Sequence, residues 1–203
     1  STCRVKGGPE DDANIKALLD SQTPVCTIFG KTWTLHVKEV LQTTTEDNLR
    51  IIEQSVAYLK ANGKRVIYDA EHFFDGYKAD SSYALETLQA AIRGGAETVV
   101  LCDTNGGTMP WDVESIIRVV KEAIHHPFGI HTHNDSECAV VNSLTAIRAG
   151  AMQVQGTING VGERCGNANL VSIMADLELK MGYQCLPAGK LVHLYELSHF
   201  VAE

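Results

Sequence analysis

Much of what would name a protein class at sight is missing. There are only five prolines in 203 residues, so this is ordinary globular material rather than an extended or low-complexity chain. Lysine and arginine number 17 against 25 acidic residues, a net charge of −8, and no basic cluster breaks that excess. A nucleic-acid partner is therefore not expected. Apolar residues make up 44% of the chain, enough to bury a sizeable core, yet no apolar run approaches the roughly 20 residues that cross a bilayer. No membrane association is expected, and no secretory leader is visible. The six cysteines are scattered and none forms a Cys-x-x-Cys pair. Reduced, mostly buried thiols in a cytoplasmic protein are the expectation. No Gly-x-Gly-x-x-Gly follows a strand-like run, which removes the main support for a dinucleotide-binding sheet.

What the chain does have is alternation. Residues 1–6 read as the tail of a strand. An acidic start at Pro9-Glu10-Asp11-Asp12 opens a helix with Ile15, Leu18 and Leu19 on one face. Val25-Cys26-Thr27-Ile28-Phe29 is near-continuously apolar, as a buried parallel strand is. Thr45-Glu46-Asp47 caps the next helix, striped by Leu49, Ile52, Val56 and Leu59 and ended by Gly63. The unit repeats: strand 66–69 and helix 81–92, strand 98–102 and a helix from Pro110, strand 128–133 and helix 136–149, strand 152–156 and a helix from Asn169. A further short helical pattern follows Pro187. Alternating strands and helices with short connections predict a parallel α/β protein.

The most informative stretch is His131-Thr132-His133-Asn134-Asp135 at a strand end. Residues i and i+2 of a strand point to one side. His131 and His133 therefore aim together, a plausible metal pair, while Thr132 faces away. Polar residues gather after the other strands too: Glu71, His72 and Asp75; Asp103, Thr104 and Asn105; Glu163, Arg164 and Asn167. In a (β/α)8 TIM barrel all these positions share the face where active sites sit. The barrel is thus preferred to an open doubly wound sheet. Only five whole strands and one partial strand can be counted, whereas a barrel needs eight. The expectation is a barrel truncated at the N-terminus, lacking strands one and two and part of three, with residues 1–203 forming a partial catalytic domain.

Three segments carry a family resemblance: Asp103-Thr104-Asn105-Gly106-Gly107, His131 to Asp135, and Gly156-Thr157-Ile158-Asn159-Gly160-Val161-Gly162-Glu163-Arg164-Cys165-Gly166-Asn167. In this order they resemble the catalytic domain of the metal-dependent family that contains 2-isopropylmalate synthase, homocitrate synthase, citramalate synthase and hydroxymethylglutaryl-CoA lyase. The run from Tyr68 to Tyr77 and the Thr27-Ile28-Phe29-Gly30-Lys31-Thr32-Trp33 segment look most like the citramalate synthase branch.

The resemblance implies a divalent metal ion (Mn, Zn, Co or Mg) on His131, His133 and Asn167. It implies acetyl-CoA and a 2-oxo acid as partners, pyruvate favoured, and a homodimer in the full-length protein. The family's first-strand Asp-Arg-Glu motif, which supplies another metal ligand, has no counterpart in this sequence. The synthases also carry a C-terminal regulatory domain, before which this chain ends. By the same resemblance Glu71 is a catalytic candidate for substrate positioning or proton handling. Glu163 and Arg164 are catalytic candidates whose support of their loop ranks above direct chemistry. Thr104, His36 and Asp103 fall at the substrate, Asp103 by orienting a neighbour. Cys165 reads as a small packed residue. A sibling synthase with a larger oxo acid, lyase-type carbon–carbon cleavage and a non-catalytic metal-binding fragment stay open as alternatives.

Overall fold

Each apolar run of the sequence becomes a parallel strand, and the helices between them close over one face of the sheet. The computed structural model describes residues 1–3 and 6–203. A 3-10 turn at Pro9–Asp11 leads into α1 (Ala13–Asp20), then β1 (Val25–Lys31), α2 (Thr34–Glu39), α3 (Thr45–Ala61), β2 (Arg65–Glu71), α4 (Phe73–Ala79), α5 (Ser81–Gly94) and β3 (Thr98–Asp103). α6 (Pro110–Ile124), β4 (Phe128–Thr132), α7 (Ala139–Ala149), β5 (Gln153–Gln155), α8 (Leu170–Leu179) and α9 (Leu194–Ala202) complete the order.

Helix starts follow from short polar side chains that accept the otherwise orphaned first N–H groups. Asp12 accepts from Asn14 N at 2.9 Å, Thr44 from Asp47 N at 3.1 Å, Asp80 from Tyr83 N at 3.0 Å and Asn169 from Val171 N at 3.0 Å. α5 and α7 stop at Gly95 and Gly150, whose φ values of 95° and 118° lie in the left-handed region that ends helices.

The strand order is β1-β2-β3-β4-β5, parallel at every step and never reversing. A doubly wound sheet reverses its order at a switch point. Sequential winding is the pattern of a barrel wall. The two faces differ accordingly. On β1, Cys26, Ile28 and Gly30 are buried while Thr27 and Phe29 are open, Phe29 being 42% exposed. On β2, Val66, Tyr68 and Ala70 are buried beneath the helices, and Asp69 and Glu71 alternate onto the other side. The dry core lies between sheet and helices, with Val56 and Leu59 of α3, Leu88 of α5 and Ile117 and Val120 of α6 fully buried. Each such aliphatic side chain stabilises the fold by about 1.5–3 kcal/mol. A smaller cluster of Ala139, Ala168, Ile173 and Leu177 fixes α8 on α7.

Several sequence expectations are adjusted. α7 begins at Ala139, not at 136. Asn134 and the residues after it instead form a turn, with Glu137 N donating to Asn134 O and Ala139 N to Asn134 Oδ1. α2 and α4 were not expected. Each is only six or seven residues long, too short to show an apolar period. The expected strand at 1–6 is not seen in residues 1–3, although Thr2 N donates to Phe29 O beside β1. Arg4 and Val5 lie outside the described residues. Among the described residues no helix is long and apolar enough to cross a membrane, and all six thiols are free.

Candidate active site

The C-terminal ends of the five strands bring most of the polar candidates to one rim. His131 is the penultimate residue of β4, paired in register with Cys102 on one side and Gln155 on the other. His133 lies one residue beyond the strand. There its N–H donates to Asp103 O at 3.2 Å and its backbone bridges antiparallel to Asn167. The two imidazoles share a side, as the alternation predicts, with ring centroids 5.2 Å apart and planes 30° apart. Thr132 turns the other way: its hydroxyl donates to Ala139 O at 2.9 Å within the buried β4–α7 contact. Burial pushes the His133 imidazole below its ordinary pKa, and the neighbouring His131 and the Arg164 guanidinium act in the same direction.

The loop after β5 returns Asn167 to this point. Asn167 N donates to Gly160 O at 2.9 Å, Asn134 N to Gly166 O at 2.8 Å and Ala168 N to Thr132 O at 3.0 Å, so the loop's second half lies alongside the end of β4. Asn167 is not a helix cap; that task falls to Asn169. Its side-chain amide instead places Nδ2 3.1 Å from His131 Nε2. Its Oδ1 occupies the space that a Cβ on Gly162 would fill, so a side chain there would displace the Asn167 amide. Arg164, at φ 53°, clamps the loop. Its guanidinium donates to both carboxylate oxygens of Asp135 at 2.7 and 2.9 Å, and to Thr104 O at 2.7 Å. It also stands 3.3 Å from His133 Nδ1 and 3.4 Å from Glu163. Arg164 therefore ties three segments of the rim together, and its expected pairing with Glu163 is the longest of these contacts. The hydrogen bonds from Arg164 hold the Asp135 carboxyl below the usual carboxylate range. Cys165 is exposed rather than packed, because the loop turns it outward between Arg164 and Gly166.

A second group forms at the ends of β1 and β2. Glu71 is ion-paired with Lys31, its register partner on β1. The His36 and His72 rings meet edge to face at 4.5 Å, with Trp33 5.0 Å from His36. Burial lowers the His36 pKa, assisted by His72 and Lys31, and its Nδ1 is buried without a hydrogen-bond partner. Asp75 is 3.4 Å from His72 Nδ1 and accepts from Asn105 Nδ2 at 3.1 Å. Thr104 Oγ1 accepts from His72 N at 2.9 Å, which leaves its own proton free to donate. Asp103 is 1% exposed and accepts from the Thr108 hydroxyl at 2.8 Å; it orients the turn after β3.

Two residues of this rim were not singled out from the sequence. Gln155 Oε1 is 2.8 Å from His131 Nδ1, and Gln155 Nε2 donates to Asp69 Oδ1 at 2.9 Å. The signal was present: a glutamine in line with His131 at a strand end, and an acid in the middle of an apolar strand. Among the described residues no three His, Cys, Asp or Glu side chains gather as a metal cluster. The group that could hold a metal is two imidazoles and one carboxamide, His131, His133 and Asn167.

Over all 203 residues the chain is 58% identical to an (R)-citramalate synthase of Geobacter sulfurreducens, covering 38% of that protein. It is 54% identical to an (R)-citramalate synthase of Aquifex aeolicus, covering 100% of this chain and 39% of that protein. The chain thus spans under two-fifths of the length of these relatives. Among solved structures, an HMG-CoA lyase of Bacillus subtilis superposes with a TM-score of 0.79 over 92% of this chain and 65% of that one, at 19% identity, and so shares the fold. The model of the HMGL-like family matches residues 9–201, and the chain belongs to that family.

Proposed function

We propose that this chain is the five-strand part of a (β/α)8 barrel whose full-length protein is a citramalate synthase. The reaction would be a metal-dependent Claisen-type condensation of acetyl-CoA with pyruvate, followed by thioester hydrolysis to citramalate and CoA. The observation that carries this reading is the meeting of His131, His133 and Asn167 at one strand end, in a chain 58% identical to a protein named as such a synthase. The sequential parallel winding and the open inner face of β1 support the barrel. Residues outside these 203 would supply the remaining strands and the aspartate ligand implied by the family's Asp-Arg-Glu motif.

Two imidazoles and a carboxamide oxygen form a donor set that suits a divalent Mn, Zn or Co ion, with Mg also served by the oxygen ligands. Bound by His131, His133 and Asn167, such an ion would supply Lewis-acid polarisation of the 2-oxo acid. The chain's own residues do the rest. The Thr104 hydroxyl, already accepting from His72 N, donates its free proton to the substrate carboxylate. Glu71, held by Lys31 at the rim, is the candidate to position the substrate or take the acetyl methyl proton. His36, whose pKa burial lowers, stands beside His72 at the same strand ends. Arg164 and Glu163 keep the loop closed over the site, and Asp103 holds the turn that carries Thr104.

Release of CoA thiol by the full-length protein tests this reading. Acetyl-CoA and Mn2+ are supplied with pyruvate, 2-oxoisovalerate and 2-oxoglutarate in turn. Release with pyruvate, lost in His131→Ala, is expected. Release only with another acid would reassign the substrate, and cleavage of hydroxymethylglutaryl-CoA without any condensation would replace the reaction. The 203 residues alone are expected to bind metal weakly and not to turn over; easily measured turnover by them would contradict the shared-ligand arrangement.

A further inference from the structure

We propose that Gln155, held by Asp69, is the positioning residue that fixes His131 as its Nδ1–H tautomer and so presents the Nε2 lone pair to the metal. The proposal rests on the reading of His131 as a ligand. Its basis is the polarity of a side-chain relay across the inner face of the sheet. Gln155 on β5 is the register partner of His131 on β4. Its side chain also reaches Asp69 on β2, past the two strands between them.

A carboxylate can only accept hydrogen bonds. Burial raises the Asp69 pKa, opposed by the Gln155 hydrogen bond and by His131; Gln155 turns its NH2 to Asp69, at 2.9 Å, which leaves only its carbonyl Oε1 facing His131 Nδ1, at 2.8 Å. A carbonyl oxygen cannot donate, so in the neutral imidazole Nδ1 carries the ring proton and Nε2 keeps its lone pair. The side chain facing His131 Nε2 is Asn167, whose amide can turn either its NH2 or its oxygen to the ring, so the Gln155 side alone sets the tautomer. The relay belongs to His131 alone. His133 Nδ1 faces the Arg164 guanidinium at 3.3 Å, and among the described residues no carbonyl or carboxylate hydrogen-bonds that ring nitrogen. An outer partner of this kind sets ring orientation and tautomer before the metal arrives, and losing one weakens metal binding about 10- to 100-fold.

The test uses the full-length protein with ring-15N-labelled histidine and reads two quantities. The first is the His131 tautomer in the metal-free protein, from long-range 15N–1H NMR correlations. The second is the affinity for Mn2+, from competition with a chromophoric chelator. In the unaltered protein His131 is expected as Nδ1–H. In Gln155→Leu it is expected to move toward Nε2–H, with Mn2+ affinity lower by about 10- to 100-fold. Asp69→Asn keeps the glutamine but removes the polarity of the relay, and it is expected to shift both quantities the same way by less. It also stands in should Gln155→Leu fail to fold, as circular dichroism would reveal. An Nε2–H ring in the unaltered protein overturns the proposal. So does an unchanged tautomer and affinity in a folded Gln155→Leu or Asp69→Asn protein. His131→Ala separates the two layers: undiminished Mn2+ binding there removes His131 as a ligand, while the metal-free tautomer still reports whether the relay exists.

Discussion

Replacing Arg164 by glutamine should loosen the metal site without unfolding the protein. Among the described residues, Arg164 joins the loop bearing Asn167 to both the His133 turn, through Asp135, and the β3 turn, through Thr104 O. Its side chain is 44% exposed and that of Asp135 25%, so solvent screens the pair and its bidentate geometry contributes about 0.5–1 kcal/mol. The charge-assisted bond to the Thr104 carbonyl adds about 1 kcal/mol. Together they give roughly 1.5–2 kcal/mol for holding the loop shut, a 10- to 30-fold loss of Mn2+ affinity. A local loss of this size lowers the melting temperature by only about 3–8 °C in a domain of this length. Chelator competition on Arg164→Gln, Asp135→Asn and the double variant checks the reasoning. The two single losses should not add, because both remove the same pair. Affinity unchanged within twofold in Arg164→Gln, or full additivity in the double variant, would refute the clamp.

Three further outcomes follow from the same geometry. Gly162→Ala puts a Cβ where Asn167 Oδ1 sits; a drop in Mn2+ affinity of about tenfold or more is expected by chelator competition, with circular dichroism unchanged. Thr104→Val leaves the His72 N–H without its acceptor, at about 1–3 kcal/mol for a partly buried donor; thermal unfolding should show the loss, and Thr104→Ser should restore it. His36 has a pKa lowered first by burial and then by His72 and Lys31, against the opposing charges of Glu71 and Asp75. The unfolded chain therefore binds a proton below about pH 6.5 that the folded chain does not. Stability contributed by this residue rises with pH across the window from its folded pKa to about 6.5, and is lost on acidification through it. Denaturant titrations between about pH 5 and 7 should show a steeper acid loss in the unaltered protein than in His36→Gln; an equal or shallower loss would contradict it.

The elements that could be read in advance were those with a long apolar period. α3, α5 and α6 show it over 14 to 17 residues; among the strands, β3 and β4 are runs of mostly buried side chains while β1 and β2 alternate. α2 and α4 could not be read, because fewer than two turns carry no period and their starts are set by the chain turning off β1 and β2. His72, at φ 54°, makes the second of those turns, and no local residue preference announces a histidine there. Within the site, the convergence of His131 and His133 follows from strand alternation alone. The return of Asn167 needed the family resemblance, because an eleven-residue loop has no register to count. Gln155 and Asp69 were missed for a third reason. A polar residue in a strand gives its face but not its partner, and the link between these two spans 86 residues of sequence.

The central claim is that His131 and His133 ligate one metal ion. Electron–nuclear double resonance of Mn2+ bound to the full-length protein carrying 15N-labelled histidine measures this directly. Two histidine nitrogen couplings are expected, with His131→Ala and His133→Ala each removing one. Tightly bound Mn2+ without any histidine coupling would contradict the site.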